Sequence, residues 1–81
     1  MEIKILGTGC PKCRQLYSNS LEAVEMTGGE GEVSKVEDMA EITGYAVMMT
    51  PALVIDEEVI SSGKVLPAGK IAELIRERGD A

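Results

Sequence analysis

The chain has 81 residues, of which 44% are hydrophobic and 27% charged, and its formal net charge at pH 7 is −6. This length predicts one domain spanning residues 1–81. The acidic balance argues against nucleic-acid binding, which requires a positive surface. Because no apolar run is long enough to cross a bilayer or to act as a signal peptide, we expect no membrane association and a cytoplasmic location.

Hydrophobic periodicity and turn residues predict seven elements in the order β-α-β-α-β-β-α. Prolines and paired acids mark the helix starts, and glycines mark the helix ends. Strands joined by a helix run parallel, and strands joined by a polar turn form an antiparallel hairpin. The sequence therefore predicts an α/β fold with a four-stranded mixed sheet and helices on both faces. The predicted strands cover residues 3–6, 32–36, 52–55 and 59–61, and the predicted helices begin near Pro11, Glu37-Asp38 and Pro67.

Two cysteines, Cys10 and Cys13, stand at the predicted turn from the first strand into the first helix. A disulfide that closes so small a loop restrains the unfolded chain very little, so the pair is predicted to be chemical rather than structural. Cys10 lies at the helix start, where free backbone N–H groups, the helix dipole and the nearby Lys12 and Arg14 stabilise an anion. Cys13 lies one turn later on the apolar face. We predict that Cys10 is an exposed nucleophile of low pKa and that Cys13 is the buried resolving thiol.

The same cysteines allow two other interpretations, a soft-metal site and an inert pair. Two thiols fill half of a tetrahedral zinc shell, and the sequence has no histidine to complete it. The loop before Cys10 resembles the Cys-x-x-Cys loop of small copper chaperones, but those domains end on a strand and this chain is predicted to end on a helix. Met39, Met48 and Met49 are soft-metal ligands in principle, but we expect them to fill gaps in the core, with Met49 partly exposed beside the thiols. Copper or zinc binding or delivery therefore ranks second to redox chemistry.

A second motif, Thr50-Pro51, precedes the third predicted strand. A proline at the start of a strand is ordinary when taken alone. In combination with the upstream Cys10-Pro11-Lys12-Cys13 and the order of elements, it resembles the thioredoxin-like superfamily. The most similar group is that of the minimal thioredoxin/glutaredoxin-like redox proteins, and the resemblance extends from Ile3 to about Arg78.

This resemblance implies a thiol–disulfide oxidoreductase that acts through a mixed disulfide and needs no cofactor. The Thr50–Pro51 bond would be cis and packed beside the cysteines, and the Thr50 backbone would meet an incoming peptide. Met49, together with Pro11 and Lys12, would complete the substrate-binding surface. The implied partners are disulfide-containing target proteins and a reductant, which is either a thioredoxin reductase-like flavoenzyme or a low-molecular-weight thiol. The protein is expected to be a monomer, and a regulatory module without turnover is a third possible function.

Two departures from the family patterns affect the expected chemistry. Thioredoxins carry a buried acid on the first strand that assists the resolving thiol, and this chain has Lys4 there. The segment by which glutaredoxins hold glutathione has no evident counterpart in residues 61–64. Dependence on glutathione therefore does not follow from the resemblance.

Overall fold

Four strands and three helices follow one another within residues 1–29 and 31–79, which the computed structural model describes. The other residues of the predicted domain, residue 30 and residues 80–81, lie outside the described part. The observed order β-α-β-α-β-β-α is the predicted one. The elements are β1 (Glu2–Leu6), α1 (Pro11–Met26), β2 (Glu32–Val36), α2 (Met39–Gly44), β3 (Ala52–Ile55), β4 (Glu58–Ser62) and α3 (Ala68–Gly79).

The strands form one mixed sheet in the order β2-β1-β3-β4. Strand β1 runs parallel to β2 and antiparallel to β3, and β3 and β4 form an antiparallel hairpin. Helices α1 and α3 cover one face of the sheet, and α2 covers the other. The predicted α/β fold, with helices on both faces, is confirmed. Among the described residues, none of the helices is both long and apolar enough to cross a membrane.

The core lies on both faces of the central strands, which send alternate side chains to opposite sides of the sheet. Ile3 and Ile5 of β1 pack with Leu16 of α1 on the face that α1 and α3 cover. Leu6 packs on the other face with Ile42 of α2. Burying one such aliphatic side chain stabilises the fold by roughly 1.5–3 kcal/mol. The contact of Leu16 with β1 holds the start of α1, and therefore both cysteines, against the end of that strand.

Strand β2 lies at an edge of the sheet and is mostly exposed. Its two valines are three positions apart and pack on opposite faces, Val33 beside α1 and α3 and Val36 beside α2. Lys35 shares the face of Val33, and its Nζ lies 4.6 Å from the centre of the Tyr17 ring on α1. The predicted strand is therefore present, and its exposed positions bring a lysine to the side of α1.

Lys4 lies on the face of the sheet that α2 covers, opposite to α1 and its cysteines. Its Nζ donates hydrogen bonds to Glu57 at 2.6 Å and to the hydroxyl of Tyr45 at 2.9 Å, and it lies 3.1 Å from Glu2 Oε1. These hydrogen bonds, that of Glu57 first, raise the pKa of Lys4, and the same bond lowers the pKa of Glu57. Lys4 therefore joins β1 to the hairpin turn and does not occupy the place of an acid beside the resolving thiol.

Candidate functional site

The cysteine pair lies where the chain leaves β1 and enters α1. Cys10 is the N-cap of α1, with extended backbone angles (φ −67°, ψ 163°), and Pro11 follows in the first turn, where a missing N–H has no cost. The Cys10 carbonyl accepts the first helical hydrogen bond, from the N–H of Arg14 at 3.0 Å. The Cys10 side chain therefore stands at the helix end whose backbone N–H groups have no partners within the helix.

The two thiols occupy different environments. Cys10 is partly exposed, and its Sγ accepts a hydrogen bond from the backbone N–H of Cys13 at 3.2 Å, whereas Cys13 is only 5% exposed. Hydrogen bonds from the Cys13 thiol and then from the Cys13 N–H lower the pKa of Cys10. Burial is the main cause that raises the pKa of Cys13. Cys13 is buried, as expected. The lowered pKa of Cys10 arises from hydrogen bonds. The side chains of Lys12 and Arg14, which were expected to stabilise the anion, are exposed.

Gly7 makes room for the buried thiol. A Cβ built on Gly7 would lie closer than 3.0 Å to Cys13 Sγ and 3.2 Å from Cys13 Cβ. Real Cβ atoms do not approach other atoms so closely, so no larger residue fits here unless Cys13 moves. Gly7 also donates its backbone N–H to the carbonyl of Val36 at 3.0 Å, which fixes its position beside β2. The sequence shows a Gly-Thr-Gly segment, and the structure shows that the first of these glycines is required by packing.

The Thr50-Pro51 motif lies close to Gly7 and Cys13. The Cα of Pro51 is 3.9 Å from the position that a Gly7 Cβ would take, and Cys13 Sγ is closer than 3.0 Å to the same position. The Thr50–Pro51 peptide bond is cis, Pro51 is buried, and Thr50 is exposed. The Pro51 carbonyl accepts a hydrogen bond from Gly63 at 2.8 Å. The structure therefore brings together the two motifs that the sequence places about forty residues apart.

The methionines near this site are exposed. Met49 is 63% exposed, and its side chain covers Gly63, whose Cβ would lie 3.2 Å from Met49 Cε. Met48 is 96% and Met39 is 59% exposed, so the expectation that these two fill the core is wrong. The reason is the shortness of α2, whose one buried side chain is Ile42, so that the first turn and the loop that follows lie on the surface. Pro11 and Lys12, between the cysteines, are exposed as well.

A cavity of about 190 Å³ opens beside Cys13, and we refer to it as the Cys13 cavity. Its walls come from the end of β1, the start of α1 and the end of β2. Its lining combines the buried thiol with charged groups of both signs. The lining residues are Ile5, Gly7, Gly9, Cys13, Arg14, Lys35 and Glu37.

Two of these residues, Lys35 and Glu37, were not identified as site residues from the sequence. They line the cavity with Cys13 because β1 and β2 run parallel with Ile5 opposite Lys35. The carboxylate of Glu37 extends over Gly9, and its Oε2 is 3.4 Å from the position that a Gly9 Cβ would take. One signal was present in the sequence, since Lys35 is the sole basic residue between positions 17 and 62. Its isolation did not indicate which element it would face.

Among the described residues, no group of three or more cysteine, aspartate or glutamate side chains is placed to hold a metal ion. Cys10 and Cys13 alone supply two thiolate ligands, half of a tetrahedral shell. The described chain ends on α3, in contrast to the copper chaperones that end on a strand.

The unequal thiols give a first testable result. We expect iodoacetamide to alkylate Cys10 before Cys13 at neutral pH, because the thiolate is the reactive form and the pKa of Cys10 is lowered while that of Cys13 is raised. On acidification below the pKa of Cys10, its rate should fall about tenfold per pH unit. Mass spectrometry of the partly alkylated wild-type chain measures both sites, and in the urea-unfolded control both thiols should titrate at about 8.5. Faster alkylation of Cys13, or a Cys10 midpoint at the unfolded value, would contradict this expectation.

Comparisons with known proteins place this site in a family context. A family model described as "Thioredoxin domain" matches residues 1–76. A thioredoxin of Methanocaldococcus jannaschii is 40% identical over 74 residues, which cover 91% of this chain and 85% of that protein. A thioredoxin of Methanothermobacter thermautotrophicus is 33% identical over 75 residues, which cover 93% of this chain and 97% of that protein. A solved structure described as "Structure of a malarial protein" has a TM-score of 0.69 at 12% identity, covers 94% of this chain and 93% of its own, and shows likeness of fold alone.

Proposed function

Because the chain belongs to the thioredoxin family and is therefore a thiol–disulfide oxidoreductase in the general sense, we propose that Cys10 and Cys13 are its exchanging dithiol. The observation that carries this proposal is the difference between the two thiols. Cys10 is partly exposed and receives the Cys13 N–H hydrogen bond at 3.2 Å, while Cys13 is buried. A nucleophile must be reachable and ionised, and a resolving thiol must stay close to it and away from other substrates.

The proposed reaction has two thiol–disulfide exchanges. In the first, the Cys10 thiolate attacks one sulfur of a substrate disulfide, a mixed disulfide forms, and the other substrate sulfur leaves as a thiolate. In the second, Cys13 loses its proton and attacks Cys10 Sγ, so that the Cys10–Cys13 disulfide forms and the second substrate thiolate leaves. The substrate is reduced by two electrons and the protein is oxidised by two. The hydrogen bond from the Cys13 N–H to Cys10 Sγ favours the Cys10 thiolate that acts in the first step.

The exposed groups around Cys10 are proposed to bind the substrate. Thr50 lies one residue before the buried Pro51, whose carbonyl is already bonded to Gly63, so Thr50 is the residue that an extended peptide would meet. Met49 offers an apolar contact, because 63% of its surface is exposed. Pro11 and Lys12 follow Cys10 in the chain and are exposed. A disulfide-containing segment of a target protein is therefore proposed to contact these two residues as well as Met49 and Thr50.

The proposed partners follow from this chemistry. Disulfide-containing proteins are the substrates, and the Cys10–Cys13 disulfide is returned to the dithiol by a thioredoxin reductase-like flavoenzyme or by a low-molecular-weight thiol. Cys-Pro-x-Cys is closer to the glutaredoxin motif, whereas the family match and the named relatives are thioredoxins. We propose a thioredoxin-like protein disulfide reductase, without a dedicated glutathione site.

A trapping experiment tests this function. In a Cys13→Ser variant the first exchange proceeds and the second does not, so target proteins should stay disulfide-bonded to Cys10 in a cell extract. The matched control is Cys10→Ser, which keeps one thiol but should capture no target, because its remaining sulfur is buried. The trapped species are separated without reductant and should be released by dithiothreitol. Equal capture by both variants, or capture by Cys10→Ser alone, would reverse the assigned roles.

A further inference from the structure

Lys4 contacts the chain at a second place besides the hairpin turn, and that place leads to the proposed substrate-binding surface. Residues 45–51 join α2 to β3 and carry Thr50, and we refer to them as the 45–51 loop. We propose that Lys4, Tyr45 and Glu57 are positioning residues, which hold this loop in the conformation that meets an extended peptide. The inference deepens the proposed function and rests on it, since it takes Thr50 as a residue that binds the peptide.

A closed ring of hydrogen bonds joins Tyr45 to β1 and to the hairpin turn. Lys4 Nζ donates to the Tyr45 hydroxyl at 2.9 Å and to Glu57 Oε1 at 2.6 Å, and the Tyr45 hydroxyl donates to Glu57 Oε2 at 3.0 Å. Each of the three side chains therefore bonds to both of the others. Lys4 Nζ also lies 5.6 Å from the centre of the Tyr45 ring, a distance at which the ring attracts a cation. Because two members of the ring are charged, its hydrogen bonds are stronger than those between neutral groups.

Glu57 is a firm support because the turn that carries it is itself fixed to β1. Asp56 and Glu57 have φ of 48° and 70°, and positive φ at both central residues is the geometry of a tight hairpin turn. The Asp56 N–H donates to the Glu2 carbonyl at 2.8 Å, and Asp56 Oδ1 accepts a hydrogen bond from the Glu2 N–H at 2.9 Å. The ring of hydrogen bonds therefore attaches the start of the 45–51 loop to the sheet.

Contacts recur at every second residue along this loop. Tyr45 and Val47 pack on the apolar cluster between the sheet and α2. Met49 covers Gly63, and the carbonyl of the buried Pro51 accepts the Gly63 N–H at 2.8 Å. The exposed residues between these contacts are Ala46, Met48 and Thr50. The backbone that faces a substrate is therefore placed by the attached residues on either side of each exposed one.

The backbone next to Tyr45 has a conformation that requires such support. Ala46 has a φ of 59°, in the left-handed region that residues other than glycine rarely adopt. Its N–H donates to the Thr43 carbonyl at 2.9 Å, so the chain turns out of α2 at this point. An unfavourable backbone conformation persists where the surrounding contacts impose it. Tyr45 and Val47, on either side of Ala46, supply those contacts, and release of the Tyr45 hydroxyl removes part of them.

Loss of the ring of hydrogen bonds should weaken peptide binding and leave the thiols unchanged. A loop that spends only a fraction of its time in the binding conformation binds its ligand more weakly in proportion to that fraction. Tyr45 packs on the face of the sheet that α2 covers, whereas α1, which carries the cysteines, packs on the other face. The effect should therefore fall on the concentration dependence of the reaction and not on the reactivity of Cys10.

Tyr45→Phe tests the inference, because it removes the hydroxyl and keeps the ring that packs on the apolar cluster. The probe is an extended peptide whose one cysteine is disulfide-linked to thionitrobenzoate, and stopped-flow absorbance follows its reduction by the reduced protein. The peptide concentration that gives half of the maximal rate should rise roughly three- to tenfold, with the maximal rate nearly unchanged. The control substrate is the same disulfide of acetylated cysteine amide, which has no peptide to contact the loop. An unchanged half-maximal concentration, or an equal loss of rate with both substrates, would overturn the inference.

Further variants distinguish the ring of hydrogen bonds from a general loss of stability. Lys4→Met should weaken peptide binding as Tyr45→Phe does, and Lys4→Arg, which keeps the charge and the donors, should retain most of it. Arg78→Gln is the matched control, since it removes a 2.6 Å ion pair with Glu58 that joins α3 to the start of β4. Wild-type peptide binding in a folded Lys4→Met, or an equal loss in Arg78→Gln, would contradict the positioning role.

A parallel assay separates this inference from the proposed function. The wild-type protein is tested for reduction of insulin disulfides, with dithiothreitol as the electron source. If it reduces insulin and all the variants bind the peptide equally well, the positioning role alone is refuted. If it reduces no protein disulfide, the proposed function is refuted.

Discussion

A Gly7→Ala variant is expected to lose about 1–3 kcal/mol of unfolding free energy and most of its exchange activity. The added Cβ would lie closer than 3.0 Å to Cys13 Sγ and 3.2 Å from Cys13 Cβ, so α1 must move or Cys13 must rotate. Pro51 Cα lies 3.9 Å from the same position, which is an ordinary van der Waals contact. Either displacement changes the distance between the resolving thiol and Cys10. Urea unfolding measures the stability, and insulin reduction measures the activity.

The matched control for this substitution is Gly69→Ala in α3. A Cβ on Gly69 meets no atom within 4 Å, and alanine is a better helix former than glycine by up to about 1 kcal/mol. This variant should therefore keep its activity and equal or exceed the wild type in stability. If Gly7→Ala were as stable as Gly69→Ala and its thiols reacted at the wild-type rate, the packing requirement at Gly7 would be disproved.

Leu53→Ala is expected to destabilise the fold by about 2–5 kcal/mol. Leu53 is fully buried in the central strand β3, in the cluster that joins the sheet to α1 and α3. The substitution removes buried methyl groups and leaves a cavity that a sheet between two helix layers cannot close. Because domains of this kind are stable by only about 5–15 kcal/mol in total, and small ones lie at the lower end, a large part of the population should unfold on mild heating.

Leu21→Ala is the matched control for this loss. Leu21 lies on α1 and is 44% exposed, so its truncation opens no cavity, and alanine suits the helix. We expect its change in unfolding free energy to be within about 0.5 kcal/mol of zero. Urea titrations compare the two variants. An unchanged slope of unfolding free energy against urea concentration shows that unfolding exposes the same amount of surface in both. Similar losses in both variants would mean that burial at Leu53 does not govern stability.

The parts of the fold and site that follow local rules could be predicted from the sequence. Pro11 at a helix start places Cys10 at the N-cap. The helical spacing of the apolar residues that follow places Cys13 on the buried side of α1. The hairpin follows from two short strands joined by an acidic turn. No local rule links Thr50-Pro51 to the cysteines. That link rests on the resemblance of the whole sequence pattern to the thioredoxin-like superfamily.

The features that were missed depend on contacts between distant parts of the chain. Lys35 and Glu37 line the cavity beside Cys13 through the register of β1 with β2, which the sequence does not specify to the residue. The role of Gly7 depends on where Cys13 Sγ lies in space, which the sequence does not show. Met39 and Met48 are hydrophobic, and the sequence does not show that α2 is a short helix with one buried side chain and that the loop after it lies on the surface. Register, packing and element length are tertiary properties, and each of these errors arises from one of them.

The order of the sheet leaves β2 and β4 as its two outer strands. An outer strand presents backbone N–H and C=O groups to which a strand of another molecule can add, and this is a common origin of aggregation. Here β2 carries the exposed Glu32 and Lys35, β4 begins at the exposed Glu58, and the pairing of β3 with β4 shifts register between Leu53 and Val54. Charged side chains and an irregular edge both oppose strand addition. The charges on the outer strands therefore protect the folded chain against aggregation through the edges of its own sheet.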